Sequence, residues 1–112
     1  MSTLPSTLRI CALNDAFRRS LSGGGTRLMT AGIAALPAPD QAAILAKVMR
    51  HDDFTEDNDP HGEHDFGAFD HAGKHVFWKI DCYDSSMEFG SEDPADPAKT
   101  TRVLTIMLAE EY

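Results

Sequence analysis

The residues best equipped for chemistry crowd into one stretch, HDDFTEDNDPHGEHD at residues 51–65, which holds seven carboxylates and three imidazoles. A calcium loop would use oxygen ligands at its positions 1, 3 and 5, a glycine at 6 and a bidentate glutamate at 12. Asp57, Asp59 and Gly62 meet three of these requirements, but His61 and Ala68 stand where positions 5 and 12 need oxygen donors, and Pro60 stiffens the turn between. That excludes a calcium loop of this type. Zinc wants three or four nitrogen, sulfur or carboxylate ligands in a tetrahedral array. His61, His64 and Asp65 are the nucleus from which such a site would grow, with His71 and His75 following, although no spacing of a structural zinc motif is present. A metal-assisted hydrolase or nuclease built there would set an activated water against a phosphate. Asp65, Lys79 and Asp81 also supply the residue types of a metal-dependent nuclease, but Phe77 occupies the place of the acid in a Glu-x-Lys pattern.

The same stretch has a second use. Asp52, Asp53, Glu56, Asp57, Asp59 and Glu63 would present a negative surface to a partner. Asp57, Asn58 and Asp59 are also strong side-chain-to-backbone hydrogen bonders, so the stretch is expected to be ordered, with Phe54 pinning it to the core. The two cysteines, Cys11 and Cys82, fall on amphipathic elements where a thiol behaves as a small hydrophobe. The glycines at 23–25 are followed by no phosphate-loop pattern and read as a turn.

Charge sharpens this picture. Residues 1–50 carry six basic and two acidic side chains, whereas residues 51–112 carry four basic and sixteen acidic ones, for a formal net charge of −8. That balance argues against direct nucleic-acid binding and for a partner with a basic surface. At 112 residues and 42% hydrophobic content, the chain is expected to form a single domain, 1–112. It has neither a membrane-length apolar run nor an apolar leader, and two cysteines are too few for a disulfide scaffold, so a cytoplasmic setting is expected.

The elements that must position these residues follow from periodicity. Ile10, Leu13, Phe17 and Leu21 recur at helical steps and predict a helix over 4–21, capped by Ser6 or Thr7 and stopped at Ser22 and the glycines. Its polar side would carry Arg9, Asn14, Arg18 and Arg19. A short strand at 27–30 and a helix at 39–50 follow, the latter with Ala42, Leu45, Val48 and Met49 as its stripe. Alternation predicts strands at 66–70 and 75–83 about an Ala72-Gly73 turn, with Val76, Trp78, Ile80 and Cys82 on one face. Trp78 is the expected core anchor. A short strand at 87–89 and a last helix over 98–110, capped by Asp96 and striped by Val103, Leu104, Met107 and Leu108, complete the reading. The fold class is α+β: a small, mainly antiparallel sheet of three to four strands with about three helices on one face. The face of His75, Phe77, Lys79, Asp81 and Tyr83 is left partly open.

FTEDNDP at 54–60, GEHDFG at 62–67, FWKID at 77–81, Tyr83-Asp84 and RVLTIMLA at 102–109 together resemble the bacterial domain-of-unknown-function family numbered 3768. The likeness runs from Arg9-Ile10 and Leu13-Asn14-Asp15 to Tyr112. It implies a single-domain cytoplasmic protein found with plasmid or phage cargo, counter-defence genes included, and it transfers no catalytic residue or cofactor. The expectation is therefore a small acidic binding protein without enzymatic activity. It would be an inhibitor or adaptor of the anti-CRISPR or anti-restriction type, acting by contact on a protein partner with a basic surface, such as a nucleic-acid-binding defence protein. The alternative is a metal-dependent hydrolase or nuclease using the His61, His64 and Asp65 loop.

Overall fold

The computed structural model describes residues 5–20 and 23–112. In chain order the elements are α1 (Ser6–Arg19), β1 (Gly25–Met29), α2 (Ala31–Ala34), α3 (Ala38–Arg50), β2 (Phe66–His71), β3 (Lys74–Tyr83) and β4 (Thr101–Leu108), with 3-10 turns at Pro97–Lys99 and Ala109–Glu111. The four strands form one sheet in the order β1-β4-β3-β2. β1 runs parallel to β4, and the other two pairings are antiparallel, so the α+β expectation holds. Among the described residues no helix is long and apolar enough to cross a membrane.

The expected last helix is a strand. Val103, Leu104, Met107 and Leu108 satisfy a helical stripe, and the same run satisfies the centre of a sheet. β4 lies between β1 and β3, and six of its eight residues are buried. A strand covered on both faces reads as a nearly continuous apolar run, which periodicity alone does not separate from a buried helix. The β-branched Thr101, Val103, Thr105 and Ile106 favour the extended form. Asp96 does cap, its carboxylate accepting from Ala98 N–H at 2.9 Å, but it caps only the 3-10 turn that leads into the strand.

Other boundaries shift. Helix α1 starts behind Pro5, with no side-chain cap from Ser6 or Thr7. The expected positions Leu4, Leu21 and Ser22 lie outside the described residues. Residues 87–89 form no strand; a turn held by Asp84 brings Gly90 back to a single bridge with Tyr83. In α3 the buried positions are Ile44 and Val48, and Ala42 is exposed. The Ala72-Gly73 turn is as expected: φ is 50° and 78° at its two residues, the left-handed pair that a two-residue hairpin needs.

The core lies between the helices and one sheet face. Val76, Trp78 and Ile80 of β3 meet Leu104, Ile106 and Leu108 of β4, and Phe17, Ile33, Ile44 and Val48 from the three helices cover them. On the opposite face Phe77 packs edge-on against Phe66 at 5.2 Å and Tyr112 at 5.7 Å, while Lys79 pairs with Asp81 at 3.1 Å. Residue 111 is latched to the fold: Glu111 accepts from Thr30 Oγ1 (2.6 Å), Gly32 N–H (3.0 Å) and Leu108 N–H (2.9 Å). These bonds, that from Thr30 foremost, hold its carboxyl below the usual range.

Gly67 sits directly across from Trp78 in the β2–β3 ladder, and a side-chain carbon there would collide with the indole. Gly67→Ala is therefore expected to destabilise by about 1–3 kcal/mol, the usual cost of overpacking. Urea denaturation checks this, and an unchanged midpoint would mean that the indole has room to shift.

Candidate functional site

Helix α1 places Cys11, Asn14, Asp15 and Arg18 on one side, at steps of three and four. The sequence suggests solvent for Asn14 and Arg18, yet both are 1% exposed. Arg18 donates to the carbonyl of Val48 at 2.7 Å, meeting the negative end of α3, and to Asp15 Oδ1 at 2.9 Å. Its guanidinium lies over Trp78, 4.9 Å from the ring centroid, and 5.5 Å from that of Phe54. Asn14 joins three elements, accepting from Arg102 Nε of β4 at 2.7 Å and donating to the carbonyl of Glu63 at 2.9 Å.

His64 brings the acidic stretch into this layer. Its backbone is left-handed, φ 54°, a conformation that costs a side-chain-bearing residue about 1–2 kcal/mol. The conformation is held because the His64 N–H donates to the Asp59 carboxylate at 3.3 Å and the ring Nδ1 lies 2.9 and 3.0 Å from the two Asp15 oxygens. Nε2 is 3.6 Å from Asp59 Oδ2, and the ring stacks on Phe54 with centroids 3.7 Å apart. Phe54 in turn meets Trp78 and His51 edge-on. A continuous layer, Asp59–His64–Asp15–Arg18–Trp78, thus ties the stretch to α1 and to the sheet.

The electrostatics follow from this packing. Burial pushes the Asp15 carboxyl up, but bonds from His64 and Arg18 outweigh it and hold the group below the usual carboxylate range. Burial, reinforced by Asp15 and Asp59, pushes the Cys11 thiol up. Burial next to Arg18 pushes the His51 imidazole down. Asp65 is pushed up by burial and then by Asp59 and Asp81, in a cleft of about 210 Å³ lined also by Ile10, Asn14, Glu63 and Cys82.

The candidate residues separate into two groups. Asp52, Asp53, Glu56 and Asp57 are exposed, and their side chains make no hydrogen bond or ion pair among the described residues. Asp59 turns inward to the His64 N–H, and Glu63 is half-buried, its carbonyl accepting from Asn14. His61 is exposed, His64 is committed to Asp15, and Asp65 lies in its cleft, so these three do not gather. His71 is taken up by Asp40 and Lys47, and His75 by Asp70. Among the described residues, the His, Cys, Asp and Glu side chains whose ligand atoms converge within 4.8 Å are Cys11, Asp15 and His64.

The family model described as Protein of unknown function (DUF3768) matches residues 29–111. The chain belongs to this family. No curated protein and no solved structure matches it. In this DUF3768 chain the matched span holds the acidic stretch, Trp78 and β2–β4, while Asn14, Asp15 and Arg18 on α1 precede it. Asn14, Asp15 and Arg18 are the residues that sequence reasoning missed. The available signal was their spacing with Cys11: four chemically able residues on one side of a helix whose apolar stripe is thin.

The backbone of the stretch is internally bonded, with Asp59 N–H to the Thr55 carbonyl at 2.8 Å, Gly62 N–H to the Asp59 carbonyl at 3.0 Å, and Thr55 N–H to Asn58 Oδ1 at 2.7 Å. Amide exchange at Thr55, Asp59, Gly62 and His64 is therefore expected to be slowed well below that of a free peptide. Free-peptide rates at these four positions would contradict an ordered stretch.

Proposed function

We propose that this DUF3768 protein is a small acidic binding protein that acts by contact, presenting the 51–65 stretch to a protein with a basic surface. The expected class is an inhibitor or adaptor of the counter-defence type, with a nucleic-acid-binding defence protein as its target. The observation that carries the reading is the division of labour among the carboxylates. Asp59 and Asn58 spend their side chains on holding the stretch, while Asp52, Asp53, Glu56 and Asp57 remain exposed on the rigid turn so formed. A preorganised cluster of unpaired negative charges steers a positive partner and loses little entropy when it docks.

Replacing Asp52, Asp53, Glu56 and Asp57 with Lys is expected to abolish capture of a basic protein from host lysate at low salt. Each exposed substitution should change stability by no more than about 0.5 kcal/mol. Captured protein should elute as ionic strength rises, because exposed charges are screened beyond about 8 Å at physiological salt. His61→Ala is the control and should bind as the parent does. Retention of the same protein by the fourfold lysine variant would refute the reading. The hydrolytic alternative drew on His61, His64 and Asp65; His61 is exposed and His64 is held by Asp15, which favours the contact reading.

A further inference from the structure

We propose that Cys11 Sγ, Asp15 Oδ2 and His64 Nδ1 form a binding site for a divalent metal ion of the zinc class. The proposal is independent of the contact reading, since it uses none of the four exposed carboxylates. Sγ lies 3.9 Å from Asp15 Oδ2, and Nδ1 lies 3.0 Å from the same oxygen. A tetrahedral ion with ordinary zinc bond lengths spaces sulfur and oxygen ligands by about 3.6 Å and nitrogen and oxygen ligands by about 3.4 Å. Shifts of a few tenths of an ångström bring these two pairs to that spacing, and the ligand atoms of all three residues lie within 4.8 Å of one another. The first two ligands sit one turn apart on a rigid helix, and the third is fixed by its strained backbone and by Phe54.

The surroundings are those that metal ligands need. Arg18 holds Asp15 Oδ1 at 2.9 Å, which leaves Oδ2, the oxygen facing Cys11, as the one to meet an ion, with Nδ1 close to both oxygens. Nδ1 lies within hydrogen-bond distance of both Asp15 oxygens, at 2.9 and 3.0 Å, and an ion would take the place of the proton held there. Asp59, 3.6 Å from Nε2, stands ready for the ring proton on the other nitrogen. Ligands whose outer atoms are fixed by a neighbouring carboxylate or cation are the rule in metal sites, and their partners matter nearly as much as the ligands. Charge also balances: the thiolate, Asp15 and Asp59 offset the ion and Arg18. On binding, sulfur–metal and nitrogen–metal bonds replace the Cys11 S–H and His64 Nδ1–H bonds. The thiol proton goes to solvent, His64 keeps one ring proton, on Nε2 facing Asp59, any second ring proton goes to solvent, and no electron is transferred. A thiolate, an imidazole and one carboxylate select an ion of the zinc class over calcium or magnesium. The site is half-buried, so water supplies the fourth ligand.

The test is a titration of untagged, reduced protein with Co²⁺. The parent is expected to bind one equivalent, with a sulfur-to-cobalt charge-transfer band and the visible bands of tetrahedral cobalt. Cys11→Ser should lose the charge-transfer band, Cys82→Ser should keep it, and Asp59→Asn should keep it with affinity about 10–100-fold weaker. A second measurement does not depend on how the variants fold: Zn²⁺ should slow alkylation of Cys11 in the parent, located by peptide mass, and leave Cys82 unaffected. Absence of the band in the parent, its survival in Cys11→Ser, or alkylation of Cys11 indifferent to Zn²⁺ would each overturn the proposal.

Discussion

Trp78→Ala is expected to cost about 3–5 kcal/mol, much of the roughly 5–15 kcal/mol that holds a domain of this size together. The indole is completely buried, and each of its sides is occupied by a different element. Gly67 of β2 lies across from it, Ile106 of β4 pairs with it, Arg18 of α1 lies over the ring, and His51 and Phe54 meet its edges at 5.5 and 6.1 Å. No single neighbour can fill the space that truncation leaves. Because Trp78 is the chain's one tryptophan, unfolding of the variant must be followed by circular dichroism. A variant with the parent's urea midpoint would show that the core does not depend on this ring.

Removing the carboxylate of Asp15 is expected to do nearly as much damage, about 3–5 kcal/mol, for a different reason. The Arg18 side chain is fully buried, and Asp15 is the carboxylate it pairs with. Asp15→Ala would leave that guanidinium charged and dry, with only carbonyls and the rings of Trp78 and Phe54 about it, and would also cut His64 loose from α1. A double variant, Asp15→Leu with Arg18→Met, should be less destabilised than Asp15→Ala alone, because no buried charge is left over. Equal losses in the two would mean that the charge is not what makes the deletion costly.

Acid should act through the same layer in two windows. His51 has its imidazole pushed down by burial and by Arg18, so as pH falls through about 6.5 the unfolded chain takes up this proton before the folded one. Its stabilising contribution is complete above that pH and is lost as pH falls toward the depressed folded value. The Asp15 carboxyl is also held low when folded, so its contribution is complete above about pH 4 and lost below. Between about pH 7.5 and 5.5 the parent should therefore lose more stability than His51→Leu. Parallel losses across that range would place the titrating group elsewhere.

The elements governed by local rules were legible in the sequence. The β2–β3 hairpin announces itself by alternation and by Ala72-Gly73, and the burial of Trp78 follows from sharing a face with Val76 and Ile80. β4 was not legible, because its environment comes from two strands distant in sequence, and the same apolar spacing suits a helix. The candidate site shows the same limit. The exposure of Asp52, Asp53, Glu56 and Asp57 could be read from local density of charge, but the pairing of Asp15 with His64 spans 49 positions. Nothing near Arg18 in the chain says that its charge is buried, since the groups that receive it, beyond Asp15, are carbonyls at the end of α3.

The place of β4 in the sheet has a consequence for folding. It is the last strand in chain order, at Thr101–Leu108, yet it separates β1 from β3. The β2–β3 hairpin is closed by a local two-residue turn and can form in about 1–10 μs, ahead of the pairing of β1 with β4, which joins distant parts of the chain. Until β4 docks, β3 carries an unpaired edge with valine, tryptophan and isoleucine on one side, a template for pairing with other chains. β1 has no sheet to join until then. The chain with its hairpin formed and β4 still loose is thus the form most prone to aggregate.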